Sequence, residues 1–99
     1  MSTRSNIVID TSKGRAHIYC HYDGYPEHML EVLPKVNLDE LRNPKYRDIR
    51  SIEDDGSIEW YEDDPAEEIV YDNDVKSCSE GIDHTYFYDP ESNEWREYT

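Results

Sequence analysis

Asn6-Ile7-Val8-Ile9-Asp10-Thr11-Ser12-Lys13-Gly14-Arg15-Ala16-His17-Ile18-Tyr19-Cys20-His21 is the stretch on which the fold turns. Ile7 and Ile9 alternate with Asn6, Val8 and Asp10, and beyond Lys13-Gly14 the residues Ala16, Ile18 and Cys20 alternate with His17, Tyr19 and His21. A period of two on both sides of a Gly-containing turn is the pattern of a β-hairpin. A lone hairpin is marginal in water, so this one needs a further layer. Asp23-Gly24-Tyr25-Pro26 ends the second strand, because Asp-Gly turns readily and Pro presets the first turn of a helix. Glu27–Leu33 then places Met29, Leu30 and Leu33 on one side, with Pro34 as the stop. Asn37 with Glu40 three residues on has the spacing of an N-cap and its capping partner. That spacing predicts a short second helix through Leu41, broken by Asn43-Pro44.

Further along, Ile52, Asp54-Asp55-Gly56, Ile58 and Trp60 predict a second hairpin with its tight turn at Asp55-Gly56. Pro65-Ala66-Glu67-Glu68 can start one helical turn, with Pro at its first position and acids at the positive end of the dipole. Thr85–Tyr88 and Glu94–Tyr98 flank Asp89-Pro90-Glu91-Ser92-Asn93 as a third hairpin, with Phe87 and Trp95 pointing inward. The fold class read from this pattern is α+β: a single small domain over 1–99, with antiparallel β-hairpins packed on one or two short helices. Its expected core is Ile7, Ile9, Ile18, Leu30, Leu33, Phe87 and Trp95.

Composition limits that core. Of 99 residues, 18 are Leu, Ile, Val or Phe, a share typical of disordered chains at this charge. Nine Tyr and two Trp offset the shortage, because aromatic rings bury large areas while the Tyr hydroxyl keeps a route to water. The charge of −14 is unevenly placed. Residues 1–36, the first hairpin and helix, sum to zero; 37–50 carry +1; and 51–99, the acidic hairpins, carry −15. Between Glu53 and Asp74 eleven acids occur in 22 residues without a base. Crowding of like charges there is expected to raise carboxylate pKa values. A chain with this field repels nucleic acid, so direct nucleic-acid binding is not expected.

No apolar run approaches the roughly 20 residues needed to span a bilayer, and the first residues lack a signal-peptide layout. The expectation is a protein of the (host) cytoplasm without a membrane partner. Cys20 and Cys78 are then expected as two reduced thiols.

Thr3-Arg4-Ser5-Asn6-Ile7 and Ile18-Tyr19-Cys20-His21-Tyr22-Asp23-Gly24-Tyr25-Pro26-Glu27 together resemble the opening of a family of small phage and prophage proteins of unassigned function. In that family tryptophan usually stands where this chain has Tyr22. Tyr86-Phe87-Tyr88 and Glu94-Trp95 are similar to the aromatic hairpin that closes those proteins. The resemblance covers about half the chain and implies a viral accessory origin, with no catalytic residue to transfer.

The chemistry-bearing residues fit this non-enzymatic reading. Cys20, His21 and Asp23 look like members of a thiol triad, but neighbours on a strand point to opposite faces, so Cys20 and His21 cannot meet. His17 and His21 share a face yet lie about 13 Å apart, and a zinc site needs His28, His84 or Cys78 folded against them. Neither Asp54-Asp55-Gly56 nor Asp72-Asn73-Asp74 has the layout of a calcium loop. No metal and no cofactor are expected. Three readings of function remain, the third being an accessory protein whose acids form only a solvated, solubilising surface with no partner site. In the first, Glu53, Asp54, Asp55, Glu59, Trp60, Tyr61, Glu62, Asp63, Asp64, Glu67, Glu68, Asp72 and Asp74 form a DNA-mimic-like surface. Its strand-spaced carboxylates stand in for phosphates and block a basic nucleic-acid-binding protein of the host, such as a defence nuclease or CRISPR effector. In the second, Arg4, His21, Tyr22, Asp23 and Tyr25 line a pocket that sequesters a small molecule or nucleotide. Against that pocket stands a structural role for the motif, with Cys20 buried and Asp23 capping the turn before the helix.

Overall fold

Alternation builds the first hairpin as expected. In the computed structural model, which describes residues 3–99, β1 (Ser5–Thr11) and β2 (Gly14–Cys20) pair antiparallel with Ile7 opposite Ile18. Ile7, Ile9, Ala16, Ile18 and Cys20 face the helices and are fully buried. Val8 is fully buried as well, on the opposite face with Asn6 and His17. A strand covered on both sides sits in the middle of a sheet, where an uninterrupted Ile-Val-Ile run belongs.

The remaining strands are β3 (Asp48–Ile52), β4 (Ile58–Trp60), β5 (Val70–Tyr71), β6 (His84–Asp89) and β7 (Glu94–Tyr98). They complete a mixed seven-stranded sheet in the order β4-β3-β2-β1-β6-β7. Each hairpin is antiparallel within itself, whereas the joins between hairpins, β1 with β6 and β2 with β3, are parallel. The outer edge of β2 is divided: β3 takes Tyr19 and Cys20, and β5 takes Ala16 and His17. At the β3–β4 turn Gly56 adopts φ +89°, and a Cβ there would meet Lys35 O at 2.6 Å.

Two helices, α1 (Pro26–Val32) and α2 (Leu38–Arg42), form the crossover between the parallel strands β2 and β3 and cover one face of the sheet. Pro26 opens α1. Asn37 caps α2 by accepting from the amides of Asp39 (2.9 Å) and Glu40 (3.4 Å). The Glu40 carboxylate does not close a capping box; it accepts the Trp60 indole N–H at 2.8 Å instead.

Two core expectations and one helix boundary need correction. Leu30 is 43% exposed, because the buried stripe is Met29, Val32, Leu33 and Val36, and Leu30 lies about 100° of helix rotation past Met29. Pro34 does not stop the helix at once; the chain continues through a 3₁₀ turn over Leu33–Lys35. Phe87 is half-buried while Tyr86 and Tyr88 point inward, because Ile7 pairs with Tyr86 and partnered residues share a face. Trp95 packs on the core half-buried, edge-on to Tyr88 at 5.4 Å.

Candidate functional site

The Tyr19–Pro26 motif is accounted for by packing, residue by residue. Cys20 is enclosed, and burial pushes its thiol up to about 11, which leaves it inert as a nucleophile at neutral pH. Asp23 takes φ +56°, the left-handed region, and turns the chain. It does not cap the helix: the N-cap is Tyr25, which makes no side-chain cap bond. Gly24 is needed for space. Its amide donates to Thr3 O at 2.9 Å, its carbonyl accepts the Tyr86 hydroxyl at 2.6 Å, and a Cβ would lie 2.7 Å from Ser5 Oγ. The motif therefore fastens the start of β1 to the α1 entry and to β6.

The residues expected to share a ligand pocket are dispersed. Arg4 reaches Asp83 at 4.0 Å, Tyr22 lies under the Arg50 guanidinium at 5.8 Å, and the Tyr25 ring neighbours His28 at 5.9 Å. His21 alone of the five lines a different cleft, described below.

The acidic segment is not one strand, so its carboxylates do not repeat along a strand lattice. It runs through the β3–β4 turn, β4, a loop, a 3₁₀ turn over Ala66–Glu68, β5 and a further loop, and Glu59 is the sole acid within a strand. Several acids shape turns. Asp55 accepts from the Ser57 hydroxyl and amide, Asp72 from the Asp74 amide, and Asp74 from the Lys76 amide. The Ser57 hydroxyl and amide hold the Asp55 carboxyl below the usual carboxylate value, opposite to what crowding alone implies. Asp64 and Glu68 are paired across space with Arg47, at 3.3 and 2.6 Å. The other acids of the segment make no ion pair with Lys or Arg among the described residues, and His28 approaches Asp54 at 3.9 Å.

At the β4 edge of the sheet lies a groove of about 400 Å³, lined by Tyr46, Arg50, Ile58, Glu59, Trp60 and Glu62. The rings of Tyr46 and Trp60 stand 6.5 Å apart. Glu40 fixes the indole from the helix layer. Its two rings can take a cation on their faces, and its wall carries the Glu59 and Glu62 carboxylates together with the Arg50 guanidinium.

A second cleft, about 420 Å³, opens on the face of the sheet away from the helices, under the loop that follows β5. Strand alternation brings His17, Tyr19 and His21 to this face, and pairing adds Asp48 from β3 and Val70 from β5. Asp48 is the buried hub: it accepts from His21 Nε2 at 3.0 Å and from Arg47 Nε at 2.9 Å. This anion in turn raises the Arg47 pKa. His17 is spent on holding the loop, with Nδ1 against Asn6 at 3.1 Å and Nε2 against Asp72 O at 2.8 Å. Cys78 lines the cleft half-buried, and neither thiol is in a disulfide. Among the described residues no group of three or more His, Cys, Asp and Glu is arranged to hold a metal. No helix is long and apolar enough to cross a membrane.

Sequence reasoning passed over Arg47 and Asp48 because they stand in the near-neutral 37–50 stretch, and only three-dimensional pairing joins them to His21 and Glu68. The chain matches no family model, no curated protein and no solved structure.

Proposed function

We propose that this protein is a non-enzymatic, phage-type accessory protein that uses its acidic side to block a basic nucleic-acid-binding protein of the host cytoplasm. The observation that carries the reading is the groove on the β4 edge, where Trp60 and Tyr46 are framed by Glu59 and Glu62. Glu53, Asp55, Asp63 and Glu67 are exposed in the same segment and unpaired with Lys or Arg among the described residues. Unpaired carboxylates draw a basic channel from a distance, and a held indole supplies the apolar contact that charge alone lacks. Because the acids occupy turns rather than one strand, the likeness to DNA lies in charge density and not in a regular phosphate spacing.

The test is capture of nucleic-acid-binding proteins from host lysate, with DNA as competitor and salt as variable. Neutralising Glu59, Glu62 and Asp63 together (E59Q, E62Q, D63N) should weaken capture well beyond any single change, chiefly through the association rate. Asp64 is left out because it holds Arg47. Capture that ignores salt, DNA and the triple change would reject the reading.

A further inference from the structure

We infer that the outer edge of β7 pairs with the same edge of a second copy of this chain, so that two sheets join into one. The sheet order ends in β4 on one side and β7 on the other, and the two strands differ in what they offer. β4 is three residues long, its pairing with β3 is interrupted by a register shift between Ile49 and Ser51, and the acids of residues 53–74 flank it. Shortness, bulges and charge all blunt a sheet edge. β7 (Glu94–Tyr98) instead runs in unbroken register with β6 and holds no proline. Its charges, Glu94, Arg96 and Glu97, are of both signs and can be matched. Beside it, against the helix layer, opens a groove of about 330 Å³ lined by Pro34, Val36, Leu38 and Trp95 among others.

Charge then selects the register. Two identical antiparallel strands related by a two-fold axis set one residue opposite its own copy. Centred on Glu94, Arg96 or Glu97, the pairing opposes like charges, which is destabilising; centred on Tyr98, it overlaps only at the strand end. Centred on Trp95, it sets each Glu94 opposite the other copy's Arg96 on the face away from the helices. The two Trp95 side chains then meet on the helix face, each beside the groove of the opposite copy, and add apolar contact to the charge pairs. Arg96 is half exposed, and its contacts to Asp89 and Glu94 within the chain are long, both 3.4 Å, so it is free to turn to the second copy. Joined in this way, the sheet carries its two β4 strands and their flanking acids at opposite ends, which keeps most of the negative charge of the copies apart. The β4 groove stays open, so this inference and the proposed function can fail separately.

The experiment is sedimentation equilibrium of the full chain over a range of concentrations, in moderate salt to screen repulsion between copies, together with hydrogen exchange of the β7 amides. The chain should form a reversible dimer, and the β7 amides not bonded to β6 should exchange more slowly as dimer accumulates. Arg96→Glu opposes like charges at both pairs of the dimer and should weaken association by about tenfold or more. Glu94→Arg should do the same. An equal mixture of the two single variants restores opposite charges between copies and should dimerise again, which a change confined to one chain's own fold cannot produce. The two changes combined in one chain should also recover the parent dimer, as the Trp95-centred register requires and the Arg96-centred one does not. Urea unfolding of dilute protein checks that each variant keeps its fold. A chain that stays monomeric at every concentration overturns the inference and leaves the edge to a strand of another protein. A dimer indifferent to Arg96→Glu, or recovery in neither the mixture nor the double variant, overturns it as well.

Discussion

Gly24→Ala is the sharpest test of the structural account of the Tyr19–Pro26 motif. The added carbon would stand 2.7 Å from Ser5 Oγ, 2.8 Å from Ser5 Cβ and 2.8 Å from Thr3 O, where ordinary contact begins at 3.4 Å. The turn and the start of β1 must therefore separate by about 0.6 Å. That movement stretches the Gly24–Thr3 amide bond of 2.9 Å and the Tyr86–Gly24 bond of 2.6 Å. Overpacking costs about 1–3 kcal/mol and each of the two loosened hydrogen bonds about 1, which sums to roughly 3–5 kcal/mol. At roughly 4–8 °C per kcal/mol for a domain of this size, the melting temperature should fall by about 12–40 °C. Urea unfolding should show a lower midpoint with an unchanged slope. Ser5→Gly in the same chain removes two of the three contacts and should recover part of the loss. A cost below about 0.5 kcal/mol, or no recovery, would refute the steric argument.

Tyr86→Phe leaves the Gly24 carbonyl without its donor and should cost about 1–2 kcal/mol in urea unfolding; a neutral outcome would mean that water replaces the hydroxyl. Asp48→Asn removes the anion that Arg47 and His21 share, and should cost about 2 kcal/mol, less than a fully buried pair because Arg47 keeps Asp64 and Glu68 in solvent. A melting temperature equal to that of the parent would count against the hub. The depressed Asp55 carboxyl favours the folded state above its unfolded value of 3.8, and that contribution fades as pH falls through the lower folded value. Ser57→Ala should therefore narrow the drop in melting temperature between pH of about 5 and about 2.5; parallel curves would remove Ser57 as the cause.

Local signals in the sequence were sufficient for elements and insufficient for their joins. The Ile7/Ile9 and Ala16/Ile18/Cys20 alternations, Pro26 at the head of α1 and the Asn37 cap each act within a few residues, and each forms as read. Phe87 and Leu30 went astray for a different reason. Which face a strand or helix residue takes depends on the neighbour it packs on, and the parallel pairing of β1 with β6 is decided by residues far apart in the chain. The candidate sites divide in the same way. Glu59, Trp60 and Glu62 are close in sequence and line one groove. The cleft needs His21, Asp48 and Glu68 from three separate segments, and no spacing rule connects them.

The central position of β1 has a consequence for how the chain is made. Ser5 pairs with His84, 79 residues further along, so the strand buried on both faces in the finished sheet is emerging from the ribosome long before its parallel neighbour exists. Until β6 arrives, the β1–β2 hairpin exposes an open, strongly apolar edge at Ile7-Val8-Ile9, the kind of edge on which chains associate with one another. Closing so long a loop is slow compared with forming the local hairpins. The strong negative charge of residues 51–99 accumulates on the chain in this interval and keeps nascent copies apart.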